Sequence, residues 1–456
     1  MNIISDLEKS KSVEQIVHED NSIWPIIKNY LPLLLDKDNE LVKREDAGTI
    51  KILLKGLFRD AFWFVKIFQS NIWVFTNSER RYGLNDSYFD RVASGLLQFF
   101  PSYVLFENPI PKGQSPKKKL QKGERWVGLS WLFLLQSLII KATGSVHIEN
   151  LEQLDDLLGV HKNKILGIIK RYHAEYKLYR FLFSFRKPKA VFVVCYYTKY
   201  GLIKACKEKG VPVFELQHGL ITTQHRAYGF KADYAQAFKP DYFLTYGRVF
   251  NQIVAEGHFV PKTHTLVYGY SFLNEVSKKA QLSEGLAALK ERYKTVVCIT
   301  GQLINTDKKL LPLIEQVAKK RPEVCFIYKP RNLNNGILCE ALRNLIKWER
   351  ANTYMLLKFC DLHLTIYSTC ALESLALGTP TISVDVDGLY TEHLKKLIGT
   401  NTYNYEASSA DDIVGILDEV SGQKEDTQRV KLSISETMAP LISKEAFLDF
   451  FNKVIH

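Results

Sequence analysis

Apolar residues in this chain fall into short unbroken runs separated by stretches of helical spacing. The first runs are Ile72-Trp73-Val74-Phe75-Thr76-Asn77 and Tyr103-Val104-Leu105-Phe106-Glu107. A run of four to six apolar residues without polar alternation predicts a strand buried on both faces. Residues 1 to about 65 look helical and carry no nameable chemistry. Pro109 and Pro111 break the pattern, and the lysine-rich stretch after them reads as a loop. From Glu149 to about Phe183, Leu151, Leu154, Leu157, Leu158, Ile165, Ile168 and Ile169 keep helical spacing.

The pattern sharpens after Lys187-Pro188-Lys189. Ala190 to Val194 predicts a strand, Tyr200 to Lys209 an amphipathic helix closed by Gly210, and Pro212 to Gln217 the next strand. Strand, helix and strand joined by short loops imply parallel pairing with a right-handed crossover. Tyr242 to Tyr246 adds a strand, trailed by a helix around Val249 to Glu256 and a strand at Thr265 to Tyr268. Residues 271 to about 293 turn helical and charged, which places a domain boundary there.

The pattern then restarts. It predicts strands at Thr295 to Thr300, Val324 to Tyr328, Leu362 to Ile366 and Thr381 to Val384. Between them it predicts helices at Leu310 to Arg321, from about Leu338 to Glu349, and at Cys370 to Leu377, with more helix from about Asp411. The expectation is an α/β protein of two Rossmann-like lobes with a cleft between them. Residues 1–275 would form the first lobe, including a helical N-terminal region, and 276–456 the second.

Composition narrows this picture. With 46% hydrophobic and 24% charged residues, the chain can bury a core and is not a disordered one. Seven scattered cysteines without a C-x-x-C suggest neither a disulfide framework nor a zinc site, and fit a reducing compartment. Met1 to Ser10 lack an apolar core, so no secretory leader is expected. Trp126 to Ile140 is the most apolar stretch, but it falls short of the roughly 20 residues a span needs. It reads as a buried helix, or as a helix lying on a membrane behind Lys112, Lys117, Lys118, Lys119, Lys122 and Arg125. A net charge of +12 implies an anionic partner: membrane lipid, acidic substrate or nucleic acid. Nucleic acid ranks last, because the lysines are not interleaved with aromatics as in a nucleic-acid module.

Open parallel sheets bind ligands beyond the carboxyl ends of their strands. Four such ends carry polar clusters. Tyr367-Ser368-Thr369 opens the helix bearing Glu373, where hydroxyls and backbone N–H groups suit phosphate and Glu373 a ribose hydroxyl. The plainer role of Ser368 or Thr369 is a helix cap. Tyr328-Lys329-Pro330-Arg331-Asn332 sets two cations beside a rigid proline. Glu215-Leu216-Gln217-His218-Gly219 ends a strand of the first lobe, with His225, Arg226 and Tyr228 in the following loop. His218 is either a structural histidine or a base for an acceptor hydroxyl. Gly301-Gln302, with Asn305, could offer backbone N–H groups to a diphosphate. The signatures of P-loop and kinase nucleotide sites, zinc proteases and α/β-hydrolases are all missing.

The run from Tyr354 to Thr369, continued by Ala371-Leu372-Glu373-Ser374-Leu375-Ala376-Leu377-Gly378-Thr379-Pro380, resembles the donor-binding half of GT-B glycosyltransferases. Tyr328-Lys329-Pro330 resembles the His-Pro element of bacterial sialyltransferase-like and polyol-phosphate-transferring members, with Lys329 in place of the histidine. Gln217-His218-Gly219 resembles the His-Gly loop of capsule, teichoic-acid and lipopolysaccharide transferases. The resemblance covers about residues 190 to 420. It implies transfer from a CMP-, UDP- or GDP-linked sugar to a bacterial surface polysaccharide or lipopolysaccharide acceptor. Lys329, Arg331, Ser368 and Thr369 would hold the phosphates, and His218 would be the base, or Glu215 if its side chain enters the cleft. His225 and Arg226 would face the acceptor. No metal and no cofactor beyond the nucleotide sugar are expected. The expected place is the cytoplasm, with peripheral attachment at the inner face of the cytoplasmic membrane. Two alternatives stay open: a nucleotide-sugar 2-epimerase of the same two-lobe fold, and a non-catalytic glycan-assembly protein.

Overall fold

The computed structural model describes residues 3–35, 55–58, 61–77, 81–84, 87–107, 125–223, 225–331, 342–420 and 425–455. Pro109, Pro111, the lysines from Lys112 to Lys122, and Asn332 lie outside them.

The apolar runs become two parallel sheets. The first has seven strands: β1 (Ile72–Thr76), β2 (Val104–Glu107), β3 (Arg125–Gly128), β4 (Ala190–Val193), β5 (Val213–Leu216), β6 (Tyr242–Thr245) and β7 (Thr265–Val267), in the order β7-β6-β5-β4-β1-β2-β3. The second has six: β8 (Thr295–Thr300), β9 (Val324–Lys329), β10 (Leu345–Lys347), β11 (Leu362–Thr365), β12 (Thr381–Val384) and β13 (Asn404–Ala407), in the order β10-β9-β8-β11-β12-β13. Every pairing within these two sheets is parallel. Helices cover both faces, so the central strands are fully buried and their sequences do not alternate.

Three expectations change. The helix expected from about Leu338 to Glu349 is not helical where it is described: Leu345–Lys347 is the edge strand β10, paired with Phe326 to Tyr328. The Trp126 to Ile140 stretch is not one helix. Its start is strand β3, and the helix Ser130–Ala142 begins afterwards. That helix buries Ser130 and Leu132 but exposes Leu134 and Leu138, so it is not a buried core helix. No helix among the described residues is long and apolar enough to cross a membrane.

The two sheets lie on either side of the helix Ser271–Lys279, which contains residue 276, and the end of the chain returns to the first sheet. The helix Lys444–Ile455 packs back on the first sheet, where Phe447 and Phe451 meet Phe100, Phe192 and Phe214. The segment leading to it crosses the first lobe on backbone hydrogen bonds: Ala439 N–H donates to Tyr246 O at 2.8 Å and Ile442 N–H to Tyr268 O at 2.9 Å. Gly269 makes this approach possible. Its φ is +84°, and a Cβ there would stand 2.2 Å from Pro440 O.

Candidate active site in the interlobe cleft

The carboxyl ends of the two sheets face one cavity of about 820 Å³, lined from both lobes. That volume lies within the roughly 300–1,000 Å³ of small-molecule sites. It brings together His218 and His225 of the first lobe with Gly301, Gln302, Lys329, Arg331, Ser368, Thr369 and Glu373 of the second. Glu215 and Arg226 are not among its lining residues.

On the first-lobe side, β5 delivers His218. Gln217 fixes the loop: its Oε1 accepts Tyr246 N–H at 2.7 Å and its Nε2 donates to Gly219 O at 3.0 Å. His218 Nε2 lies 3.2 Å from both Cys195 Sγ and Tyr197 Oη. Its Nδ1 lies 3.5 Å from Tyr228 Oη. Cys195 reaches it from the end of β4 with φ +62°, a left-handed conformation that non-glycine residues seldom adopt.

Glu215 does not enter the cleft. It is fully buried, and its Oε1 accepts the Tyr228 hydroxyl at 2.6 Å while lying 3.9 Å from His218 Nδ1. The strand turns Glu215 inward, so it stands behind the histidine instead of replacing it. His225 accepts Ala227 N–H on Nδ1 at 3.2 Å. Burial first, then the charges of Arg226 and Lys28, push its pKa down to about 4, so it is neutral at physiological pH. Arg226 is half-buried in the same loop.

The second-lobe side is built by Asp307, a fully buried residue that sequence reading passes over. Its carboxylate accepts Gln302 N–H at 2.8 Å and the Tyr328 hydroxyl at 2.7 Å. Gly301 N–H donates to Lys329 O at 2.9 Å. Both N–H groups expected to meet a diphosphate are therefore already engaged, and this turn shapes the wall. A Cβ at Gly301 would sit 2.7 Å from Asp307 Oδ2 and 2.9 Å from the Tyr328 ring.

Lys329 is half-buried and donates to Glu349 O at 2.5 Å, and burial lowers its pKa. Arg331 is exposed at the cavity edge. Thr369 at the N-cap makes no side-chain cap hydrogen bond, but Ser368 Oγ, one position earlier, accepts Cys370 N–H at 3.2 Å, and Ser368 also lines the cavity. The helix Cys370–Leu377 ends at Gly378 with φ +95°.

Glu373 is not on a solvated helix face. It is buried at the cavity wall, where its Oε1 accepts the Tyr354 hydroxyl at 3.1 Å. Arg91 of the first lobe donates to the same phenol oxygen at 3.2 Å, and Tyr270 Oη lies 3.5 Å from it. Burial raises the Glu373 pKa, opposed by the Arg91 charge. Arg91 is aimed by buried Asp90, which accepts the N–H groups of Val92 and Ala93 at 2.8 Å each and the Thr76 hydroxyl at 2.5 Å. A second link between lobes runs from the Tyr82 hydroxyl to Asn352 Oδ1 at 2.8 Å. Tyr367 and His393, ring centroids 5.3 Å apart, complete the wall with Glu392.

Among solved structures the two-lobe fold has counterparts. The glycotransferase of kitacinnamycin superposes with a TM-score of 0.52 at 9% identity, over 84% of this chain and 99% of that one. A protein from Listeria monocytogenes, assigned as a UDP-N-acetylglucosamine 2-epimerase, gives 0.51 at 9% identity, over 84% and 95%. The fold is GT-B. At such identities the likeness carries the GT-B architecture and no more. No protein-family model and no curated protein matches the sequence. The GT-B cleft falls where the strand-end rule places it, with His218 on one wall and Ser368 on the other.

Proposed function

We propose that the chain is a glycosyltransferase that holds a nucleotide-activated sugar in its second lobe and passes the sugar to an acceptor hydroxyl beside His218. The supporting observation is that one cavity carries Lys329, Arg331, Ser368 and Thr369 on one wall and His218 on the other. Fixed cations and a helix N-terminus suit a leaving phosphate, and stabilising that developing charge is usually the largest catalytic contribution. The acceptor oxygen bonds to the anomeric carbon, the bond from that carbon to the phosphate oxygen breaks, and the acceptor proton goes to His218. CMP-, UDP- and GDP-linked sugars are the donor candidates, and a bacterial surface glycan or glycolipid is the acceptor.

Sugar transfer assayed with His218→Ala and Ser368→Ala tests this reading. Full activity in both variants overturns it. An isomeric nucleotide sugar formed without acceptor would mark an epimerase instead. A thermal-shift screen with CMP, CDP, UDP and GDP that moved nothing would favour a non-catalytic assembly protein.

The acceptor side of this reading includes an anionic membrane. The first lobe exposes Phe62, Phe64, Phe68, Phe181 and Phe185, with Phe62 76% exposed. Phe64 contacts both Phe68 and Phe185, and Phe181 contacts Phe185, so these four rings form one patch, with Phe62 two positions before Phe64 in the chain. Lys177, Arg180, Lys187 and Lys189 are exposed around it, and no acid occurs from Tyr176 to Lys189. Apolar rings flanked by cations match an anionic lipid surface. Sedimentation with anionic liposomes should show salt-sensitive binding that Phe62→Glu and Phe185→Glu abolish. Failure of the unaltered chain to bind at low salt overturns it.

A further inference from the structure

A cluster outside the cleft joins the N-terminal region to the first lobe. His18, Glu19 and His173 bring one donor atom each within 4.8 Å of one another, and none of the three lines the cleft. His18 and His173 are buried, while the Glu19 side chain is 43% exposed and opens the cluster to solvent.

The hydrogen bonds fix which atoms are donors. His18 Nδ1 lies 2.9 Å from the carbonyl oxygen of His147. A carbonyl only accepts, so Nδ1 carries the proton and Nε2 of the neutral ring keeps its lone pair. That Nε2 is 3.4 Å from His173 Nδ1, which is 3.4 Å from Glu19 Oε1. Tetrahedral zinc with bonds of about 2.0–2.1 Å holds its ligand atoms roughly 3.4 Å apart. The two rings meet edge to face, centroids 5.4 Å apart and planes at 65°, as rings directed at a common point do. A histidine whose second nitrogen donates to a backbone carbonyl is also the usual orientation of a metal ligand.

The backbone supports the same reading. Glu19 and Asp20 form the turn between the paired residues His18 and Asn21, with φ of +47° and +59°. Such a two-residue turn favours Asn-Gly, so two carboxylate residues there carry a conformational cost that something else must offset. Lys204 Nζ lies 3.3 Å from Glu19 Oε2, which leaves Oε1 directed at the histidines. His173 is held rigidly within the helix Lys162–Phe185.

We propose that His18, Glu19 and His173 bind a divalent transition metal, zinc by preference, which pins the N-terminal turn to this helix. Two imidazoles and one carboxylate with an open fourth position form a zinc-type donor set, and the lack of thiolate disfavours copper(I). The competing arrangement is a proton on His173 Nδ1 shared between His18 Nε2 and Glu19, which closes the network without an ion.

The two are separated by titrating the chelator-treated full chain with Zn²⁺ by calorimetry and with Co²⁺ by visible absorption. The expected result is one ion per chain and the intense visible bands of four-coordinate cobalt. Glu19→Gln and His173→Gln should each weaken binding by roughly 10- to 100-fold or more. Glu19 lies in a half-exposed turn, so its variant keeps the test open if the buried histidine variants do not fold. Absence of binding to the full chain overturns the proposal. So does equal binding in Glu19→Gln and His173→Gln.

Discussion

Tyr228 donates its phenol proton to Glu215 Oε1 at 2.6 Å, and the same phenol oxygen lies 3.5 Å from His218 Nδ1. A buried carboxylate is thus connected to the cleft imidazole through a phenol. In the reaction proposed above, Nδ1 keeps its proton facing Tyr228, and Nε2, beside Cys195 Sγ and Tyr197 Oη, takes the acceptor proton. Glu215 and Tyr228 are then positioning residues. Glu215→Gln and Tyr228→Phe should lower kcat by roughly 10- to 100-fold and leave the donor KM nearly unchanged, while His218→Ala should cost about 100- to 10,000-fold. Steady-state kinetics across pH checks this. Variants that raised only KM would count against the chain of contacts.

Gly301→Ala should damage the second lobe. The added methyl meets a buried carboxylate and a buried ring, both already hydrogen-bonded to each other. Overpacking of this kind costs about 1–3 kcal/mol. Urea unfolding measures the loss, and nucleotide binding should weaken with it because Asp307 also holds Gln302.

Arg331 and Ser368 should behave differently on substitution. Arg331 is exposed, so Arg331→Ala should leave the Tm unchanged and weaken donor binding by about 10- to 100-fold. Ser368→Ala should also lower stability by about 1 kcal/mol, because its hydroxyl accepts Cys370 N–H at the start of the helix. Calorimetry with nucleotide and thermal unfolding on the same samples separate the two effects.

Acid should destabilise the protein through buried His363 and partly buried His225. Burial holds His363 at about 3 and is the main cause holding His225 at about 4, against an ordinary 6.5. The folded chain then binds fewer protons than the unfolded chain below pH 6.5. Stability is therefore full above that value and is lost as pH falls from about 6.5 through about 4 for His225 and about 3 for His363. His363 also lies 2.9 Å from Thr300 Oγ1, so its protonation disturbs the strand leading into Gly301. Urea midpoints between pH 4 and 7 check the slope, and His225→Gln should reduce it.

Residues that act locally were legible, and residues that act across the fold were not. β8, the helix Cys370–Leu377 and β12 keep the bounds their apolar runs predict, because their burial keeps each run dominated by apolar residues and each is bounded by a turn or glycine. β10 is hidden because Leu345 and Ile346 are too short a run to mark an edge strand. Ser368 and Lys329 were found because strand ends identify them. Arg91 was not, since its partner Tyr354 lies 263 positions away and only folding pairs them. Asp307 reads as a helix acid until its two partners are seen. Glu215 was legible as a strand-end carboxylate, but the direction of its side chain was not.

The crossing at Gly269 and Pro440 has a consequence for anyone dividing this protein. The first sheet's aromatic face is covered by Phe447 and Phe451, which arrive only after the whole second lobe has been made. A fragment ending near residue 276 would leave that face bare and should precipitate. Supplied together, halves cut at 276 should recover solubility only by fragment complementation, with the tail of one threaded back onto the other.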